Sequence, residues 1–350
     1  MRLKKILIIG GYGKVGSIIT QHLAECFPDK IVVAGRNLEK AQQLAEILNY
    51  KITPYQFDIS NPTNPKILSE IGLVIMCIDQ ENTDFISLCI DKKIHYVDIT
   101  ANQKFVEKAE ILHSKAKQNS TTIALSIGLA PGITNLLAQH CIEQLPSSKF
   151  IDIFILLGLG EKHGEAAYRW TFDNIHTTYK LSNELKTVKS FTLGKKTQLV
   201  GTRKFYSLNF SDQHIMGKTK NIHQVITRVA FDSKLLTRCI ALLRKIGLTK
   251  IFRNKKIQSI LITLSSKLNF GSDIFAVKVI SENTRKQKYE CSLQGKNEGR
   301  ITAFVAVEVV RYLMNSNNSH GVQHLHHFIN EIPEFLHGLK QYDNSLEIKL

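Results

Sequence analysis

The sequence contains no apolar run long enough to cross a membrane, and its six cysteines form no C-x-x-C pair. A membrane-spanning helix needs about 20 consecutive apolar residues. The segment from Lys4 to Ile9 begins like a signal peptide, but glycines interrupt its apolar run, so we expect a cytoplasmic protein. Because the cysteines are scattered among mostly apolar residues, they predict buried free thiols and neither a disulfide framework nor a zinc site.

Acidic residues are scarce, since 30 of them stand against 46 lysines and arginines and give a formal net charge of +16. The basic residues are spread along the chain without an aromatic-interleaved RNA-binding motif, so we expect no nucleic-acid partner. The excess charge either serves anionic ligands or reflects a general bias of the proteome. A hydrophobic content of 43% in 350 residues is that of an ordinary soluble protein with room for two domains.

The most informative stretch is residues 6–16, where four apolar residues run into a glycine cluster. The next segment, 17–25, has apolar residues at helical spacing, so the order is strand, tight turn, helix. Gly11, Gly13 and Gly16 fit the dinucleotide pattern: the first for the turn, the second to admit a pyrophosphate, the third for close packing. The N–H groups and dipole of the helix start would hold the phosphates. A bare glycine turn is the alternative.

The end of the second predicted strand, Lys30 to Ala34, indicates which dinucleotide is bound. An NAD-binding protein offers an acid there to the ribose hydroxyls, whereas this chain continues with Gly35, Arg36 and Asn37. A guanidinium suits a 2′-phosphate by charge and by its fork of donors, so the sequence favours NADP(H) as cofactor. The alternative is a solvated arginine that follows a strand.

Strands and helices alternate over the first 127 residues, which predicts an α/β fold with a doubly wound parallel Rossmann sheet. The further strands predicted here are 55–59, 73–78, 95–99 and 121–127, and the helices are 38–48, 85–91 and 103–119. Each predicted strand should present its last residues at the carboxyl edge of the sheet, where ligands bind.

The pattern changes at Gly128, and the following strands and loops indicate a second, α+β domain. The strands predicted there are 150–159, 187–193, 198–208, 274–281 and 288–293, the last two as a hairpin. We therefore predict an NADP-binding domain at 1–127, a substrate and dimerisation domain at 128–299, and a C-terminal helical segment at 300–350 that returns to the first domain.

Four motifs of the chain resemble the saccharopine dehydrogenase (saccharopine reductase) family. They are Gly10-Gly11-Tyr12-Gly13-Lys14-Val15-Gly16, Ala34-Gly35-Arg36, His95-Tyr96-Val97-Asp98-Ile99-Thr100 and Gly128-Leu129-Ala130-Pro131-Gly132-Ile133-Thr134-Asn135-Leu136-Leu137-Ala138. Together they cover the first 140 residues. Segments 160–173 and 321–336 resemble the shorter bacterial members.

The resemblance implies a Rossmann domain, an inserted substrate domain and a returning C-terminal helix, with NADPH giving hydride to an imine or carbonyl. Family members that act on saccharopine carry an acid before Pro-Gly, and here that position is Ala130. The departure weakens saccharopine as the substrate and leaves the proton donor open.

The predicted site residues follow from these motifs and from the strand ends. The cofactor-binding candidates are Gly11, Tyr12, Gly13, Lys14, Val15, Gly16, Arg36, Asn37, Asp58, Cys77, Thr100, Gly128, Pro131 and Gly132. Asp58 could reach the adenine or act as a cap, and the Pro-Gly turn could be a plain domain junction.

The catalytic candidates are His163, Arg169 and Asp98. His163, in a glycine-flanked loop, suits a general acid or is a solvated loop histidine. Arg169, or alternatively Arg203, could clamp a substrate carboxylate. Asp98 follows the fifth strand and either faces the cofactor cleft or caps the next helix.

Two clusters remain outside this scheme. The histidines 320, 324, 326 and 327 permit a metal by spacing, but no recognisable ligand set is complete, so we expect a polar helix face and no metal. The segment Lys234 to Lys256 holds eight basic residues and no acid, interleaved with leucines and isoleucines. It predicts a basic amphipathic helix that either lies on a membrane surface or an interface, or faces the core with a solvated basic side.

Three hypotheses follow. The first is an NADPH-dependent oxidoreductase, expected as a homodimer, that reduces a C=N or C=O group of a small amino-acid-derived substrate. The second is a membrane-associated reductase of a lipid-like molecule, docked through Lys234 to Lys256. The third is a protein that binds the cofactor without turnover.

Overall fold

The computed structural model describes residues 4–60, 66–161, 164–181, 187–219, 222–267, 271–315 and 320–350. The chain divides into two compact units, 1–132 with 299–330, and 133–298 with 331–350. The chain thus leaves the first unit after Gly132 and returns to it at Gly299. Compared with the predicted boundaries, the cut lies five residues later than 127, and the last 20 residues belong to the second unit.

Up to residue 125, strands and helices alternate as predicted. The elements are β1 (Lys5–Ile9), α1 (Lys14–Cys26), β2 (Ile31–Gly35), α2 (Leu38–Ile47), β3 (Ile52–Gln56), β4 (Ile71–Met76), α3 (Asp84–Asp91), β5 (His95–Asp98), α4 (Gln103–Glu110), α5 (His113–Gln118) and β6 (Thr122–Leu125). A 3-10 helix, Lys66–Ser69, precedes β4. The single helix predicted at 103–119 is wrong, because the chain breaks it around Ile111 and Leu112.

The second unit is built from the middle of the chain. Its elements are α6 (Thr134–Gln144), β7 (Ser148–Leu157), α7 (Glu165–Ile175), β8 (Thr178–Lys180), β9 (Thr187–Lys189), β10 (Lys195–Gln198), β11 (Thr202–Ser207), α8 (Ser211–Met216), β12 (Gln224–Phe231), α9 (Lys234–Lys245), α10 (Lys255–Lys267), β13 (Ile274–Asn283) and β14 (Lys288–Lys296). A 3-10 helix, Leu248–Arg253, lies between α9 and α10.

The C-terminal part contributes to both units. Its elements are α11 (Glu298–Asn315), β15 (Gly321–His324), α12 (Leu325–Phe328), α13 (Ile332–Gly338), a 3-10 helix (Leu339–Gln341) and β16 (Glu347–Lys349). The prediction of a purely helical segment at 300–350 is therefore wrong. Both strands are short and polar, and each exists because a partner strand holds it, β6 for β15 and β14 for β16.

The sheet of the first unit confirms the doubly wound prediction. Its seven strands run parallel in the order β15-β6-β5-β4-β1-β2-β3, so the connections reverse between β1 and β4. Strands β1, β2 and β4 are almost continuously buried, as expected when helices cover both faces. Strand β3 starts three residues earlier than predicted and includes Pro54, which an edge strand tolerates because one of its sides needs no ladder bond.

The second unit carries a mixed sheet in the order β10-β11-β12-β7-β13-β14-β16, and β8 pairs with β9. The hairpin of β13 and β14 is confirmed, with Lys278 opposite Ser292 at its centre. The continuous basic helix predicted at 234–256 is wrong, since α9 stops before Gly247, whose φ of 82° is left-handed. Within the described ranges, no helix is both long and apolar enough to span a membrane.

Candidate functional site

The glycine turn between β1 and α1 leaves no room for a Cβ at Gly11 or Gly16. A Cβ on Gly16 would lie 2.2 Å from the carbonyl oxygen of Gly10, and one on Gly11 would lie 2.9 Å from Thr20 Oγ1. This close approach agrees with the predicted role of Gly16, which is to let the helix pack closely on the strand. The turn role given to Gly11 belongs instead to Gly10, whose φ of 77° is the left-handed one. Gly11 is fixed because its carbonyl accepts a hydrogen bond from the Thr20 hydroxyl at 2.9 Å.

Helix α1 begins at this turn with its positive end at the carboxyl edge of the sheet. Gly13 is the N-cap residue, it is exposed, and no side chain caps the helix. The backbone N–H of Gly13 donates to Gly10 O at 2.9 Å, which closes the turn. An exposed glycine at an uncapped helix start lets an anion approach the backbone closely, and Lys14 and Val15 form the first helical turn there.

Beside the turn lies a cleft of about 540 Å³. Its lining residues are Tyr12, Arg36, Asn37, Leu38, Lys40 and Gln56, of which two are basic and none is acidic. Of these residues, the sequence motifs predicted Tyr12, Arg36 and Asn37, but not Leu38, Lys40 or Gln56. Lys40 stands four residues after Arg36, and this spacing could have indicated that both side chains line the same cleft. Gln56 is the last residue of β3, whereas the predicted strand ran from 55 to 59.

Hydrogen bonds fix the chain on both sides of Arg36. The Asn37 N–H donates to the Tyr12 hydroxyl at 3.1 Å, and Gln56 Nε2 donates to Arg36 O at 3.0 Å. A Cβ on Gly35 would lie 2.3 Å from Tyr12 Oη, so the Tyr12 ring packs directly on the turn. These contacts hold the backbone while the Arg36 and Lys40 side chains stay exposed.

Asp58 does not line this cleft. Its Oδ1 accepts the Ser60 N–H at 2.9 Å, and that hydrogen bond lowers the pKa of the exposed carboxyl. The structure therefore gives Asp58 a local turn role, and the alternative of adenine contact gains no support.

At the carboxyl end of β5, Asp98 belongs to a buried polar cluster. Its Oδ2 accepts the Tyr96 hydroxyl at 2.7 Å and Gln80 Nε2 at 2.9 Å, and its Oδ1 accepts the Thr100 N–H at 2.8 Å. Asp98 and Tyr96 are both fully buried. Burial raises the pKa of Asp98 to about 7, and the charge of Asp79 adds to that rise, while the hydrogen bonds oppose it.

The sequence could have suggested this pairing, because Tyr96 and Asp98 stand two apart on a strand and share a face. Asp98 does not cap α4, as the alternative held, since Asn102 accepts the N–H groups of Lys104 and Phe105. Thr100 supports that cap by accepting the Asn102 N–H at 3.2 Å.

Gln80 presents an unused acceptor next to Asp98. Its Oε1 is buried and has no hydrogen-bond partner within the described residues. A buried acceptor without a donor is costly, so this position suits a ligand N–H. Cys77, directly after β4, has its pKa raised by burial and is therefore unreactive; its backbone lies against Gly10.

The Pro-Gly turn after β6 is tightly packed. Gly128, Pro131 and Gly132 are buried, and a Cβ on Gly132, whose φ is 140°, would lie 2.9 Å from Ser126 O. Ala130 is half-buried. No side chain of the turn can therefore supply a proton, and its three predicted cofactor contacts remain predictions.

Hydrogen bonds link Ser126, His324 and Glu110 next to this turn, and the sequence motifs did not predict this set. Ser126 Oγ lies 2.8 Å from His324 Nδ1, and His324 Nε2 lies 2.9 Å from Glu110 Oε1. Ser126 is fully buried with a φ of 62°, so these hydrogen bonds hold β6 and β15 together at a strained residue. The residues are up to 214 positions apart, and no local signal connects them.

The histidine cluster is not the polar helix face that was expected. His324 is buried, and burial together with the His327 charge keeps the pKa of His326 well below its ordinary value. Among the residues described, no group of three or more histidines, cysteines or acids could hold a metal ion.

The two arginine candidates in the second unit bind protein groups, although Arg203 Nε is buried without a hydrogen-bond partner among the described residues. Arg169 donates to Glu165 and reaches Gln258 and Ser259 on α10, so it ties two helices together. Arg203 donates to the carbonyl oxygens of Val200, Phe231 and Asp232. Neither arrangement supports a carboxylate clamp, and His163 lies outside the described residues.

Comparison with known proteins agrees with this geometry. Residues 6–124 match the family described as "Saccharopine dehydrogenase NADP binding domain". A curated relative, glutamyl-tRNA reductase from Francisella philomiragia, is 28% identical over 116 residues, which are 32% of this chain and 26% of that protein. The chain thus spans about a quarter of the length of that relative.

Two solved structures share the fold along nearly the whole chain. Saccharopine dehydrogenase (L-Glu forming) from Saccharomyces cerevisiae has a TM-score of 0.64 at 13% identity, covering 99% of this chain and 100% of that one. Homospermidine synthase from Legionella pneumophila, in complex with NAD, has a TM-score of 0.67 at 12% identity and covers 99% and 90%. The resemblance read from the sequence motifs is confirmed over residues 6–124, which match the saccharopine dehydrogenase NADP-binding domain family.

Proposed function

We propose that the chain is an NADPH-dependent oxidoreductase. The observation that carries the proposal is the cleft after β2, which Arg36 and Lys40 line and no acid lines. A dianionic 2′-phosphate gains charge-assisted hydrogen bonds there, whereas the ribose hydroxyls of NADH find no carboxylate acceptor. The family match on residues 6–124 supports a nicotinamide dinucleotide as the ligand.

The residues of the first unit fit a dinucleotide from one end to the other. Gly10, Gly11 and Gly16 leave no room for a Cβ at the turn, and the uncapped start of α1 is offered to a pyrophosphate. Gln80 Oε1 is the unused acceptor that a carboxamide N–H would satisfy at the carboxyl end of β4. The chemistry that the bound dinucleotide supplies is a hydride.

The acceptor we propose is a C=N or C=O group of a small, amino-acid-derived substrate. Such a reduction consumes a proton as well as a hydride, and Ala130 cannot supply it. Asp98, fully buried at the carboxyl end of β5, is the candidate we propose for holding this proton, since burial raises its pKa to about 7. Its hydrogen bond with Gln80 links it to the proposed carboxamide position.

The test follows NADPH oxidation against a panel of keto acids with and without amines, with NADPH and NADH binding titrated in parallel. We expect NADPH to bind more tightly than NADH and to be oxidised with one class of substrate. Tight NADPH binding without turnover on any substrate would favour the cofactor-binding protein instead. Failure to bind either nucleotide would refute the proposal altogether.

A further inference from the structure

Helix α9 has a buried side and, opposite to it, an exposed apolar side. One side, with Thr237, Ile240 and Arg244, is buried against the second unit. The opposite side carries an exposed row that we call the outer stripe. It consists of Leu235, Cys239, Leu242 and Ile246, at spacings of four, three and four residues, and continues past Gly247 with Leu248 and Ile251.

The exposure of the outer stripe is large. Leu235 is 73% exposed, Leu242 60%, Ile246 59% and Leu248 57%. Single exposed leucines are common, but a contiguous row on one helix face and the following turn marks an interaction surface. The core-facing alternative holds for the buried side of α9, but these leucines are not part of that side.

The buried side of α9 is attached to the second unit by hydrogen bonds. Arg244 donates to Ser190 O at 3.1 Å and to Thr177 O at 2.9 Å, and Thr237 Oγ1 accepts the Phe231 N–H at 3.0 Å. These contacts, with Ile240, already attach α9 to the unit.

Basic side chains flank the outer stripe. Lys234, Arg238 and Lys245 are exposed and share one side of α9, next to the leucines. Further exposed basic residues follow at positions 250, 253, 255 and 256, and residues 234–256 contain no acid. Of these, Lys255 has an acidic neighbour from outside the segment, Asp173 at 3.4 Å.

We infer that this face docks on the surface of an anionic lipid bilayer, with α9 lying in the interface. Aliphatic side chains would enter the acyl boundary while the lysine and arginine heads reach the lipid phosphates. A second copy of this chain fits less well, because a twofold interface would set the basic flank against itself. A nucleic acid fits less well too, since single strands stack on aromatic rings and the outer stripe has none.

Vesicle flotation tests the inference without any need for turnover. We expect the protein to float with phosphatidylcholine vesicles that contain phosphatidylglycerol, to stay unbound with phosphatidylcholine alone, and to dissociate as salt rises. The double variant Leu235→Ser, Leu242→Ser should bind roughly tenfold or more weakly. Neutralising Lys234, Arg238 and Lys245 to glutamine should cost about fivefold per charge.

A matched control removes an equally exposed side chain elsewhere. Ile111 in the first unit is 80% exposed, and Ile111→Ser should leave vesicle binding unchanged. Cys239 gives a direct readout, because Cys26 and Cys239 are the exposed thiols of the described residues. In a Cys26→Ser background, an environment-sensitive dye on Cys239 should shift to the blue with anionic vesicles.

Three results would overturn the inference. The first is no binding to anionic vesicles by a folded protein with a sharp thermal transition. The second is binding that the leucine variants do not weaken. The third is a dimer that the same leucine substitutions dissociate, with no vesicle binding, which would assign the outer stripe to a second copy of the chain.

Discussion

Reversing the charge at Arg36 should exchange the nucleotide preference. In Arg36→Asp the new carboxylate would repel a 2′-phosphate and would accept hydrogen bonds from the ribose hydroxyls of NADH. The backbone should stay in place, because the contacts of Tyr12 with Asn37 N and of Gln56 with Arg36 O do not involve the substituted side chain. The perturbation is therefore electrostatic and local.

The size of the effect follows from the exposure of the two cations. A charge-assisted hydrogen bond contributes about 1.5–3 kcal/mol, and exposed side chains belong at the lower end because solvent screens them. Losing the Arg36 contact should thus weaken NADPH about tenfold, and repulsion by the new carboxylate should add about another tenfold. The ratio of NADPH to NADH affinity should fall by about 100-fold, and Lys40→Ala should lower it by about tenfold.

Fluorescence titration of both reduced nucleotides, at low and at high salt, measures this ratio. Lys51→Ala is the matched control, since Lys51 is exposed in the same unit and does not line the cleft. Arg36→Lys keeps the charge without the fork and should give an intermediate ratio. An unchanged ratio in Arg36→Asp would show that the cleft does not hold the 2′-phosphate.

Three further predictions concern stability and pH. Gly16→Ala should lower the free energy of unfolding by about 2 kcal/mol and abolish nucleotide binding, because the new Cβ would lie 2.2 Å from the carbonyl oxygen of Gly10. The control Gly164→Ala should have neither effect, because a Cβ on Gly164 would have no atom within 4 Å. Because the pKa of Asp98 is raised to about 7 in the folded protein, its contribution to stability is full below pH 4 and is lost as the pH rises through about 7. This loss amounts to about 4 kcal/mol, and Asp98→Asn should remove it in denaturant titrations between pH 4 and 8. An unaltered dependence of stability on pH would contradict the prediction. His324→Ala should cost about 2–4 kcal/mol in the same assay because two buried hydrogen bonds are lost, and the exposed His337→Ala should cost less than about 0.5 kcal/mol; equal costs would refute the role of the buried chain.

The first unit could be predicted from its sequence because its signals are local. Four apolar residues before Gly10 specify a buried strand, and the helical spacing after Gly16 specifies α1. The absent acid after β2 and the presence of Arg36 could also be read directly. In these cases propensity, spacing and burial agree over fewer than 40 residues.

The features that escaped prediction depend on distant partners. Strand β15 has little propensity of its own and forms because β6 offers an edge. The Ser126, His324 and Glu110 chain joins three separate parts of the sequence. In the basic segment 234–256, the spacing of the leucines does not tell which side of α9 is buried. The tertiary contacts of Arg244 show that its side is the buried one.

The late position of β15 has a consequence for synthesis of the chain. The sheet that carries Arg36 and the glycine turn is completed by residues 321–324, which leave the ribosome only after the whole segment 133–298. Until then, the buried strand β6 has an open edge, and open edges of apolar strands pair with other chains. A fragment that stops at residue 132 should therefore aggregate, so shortened forms made to study the first unit alone need residues 299–330 supplied through a linker.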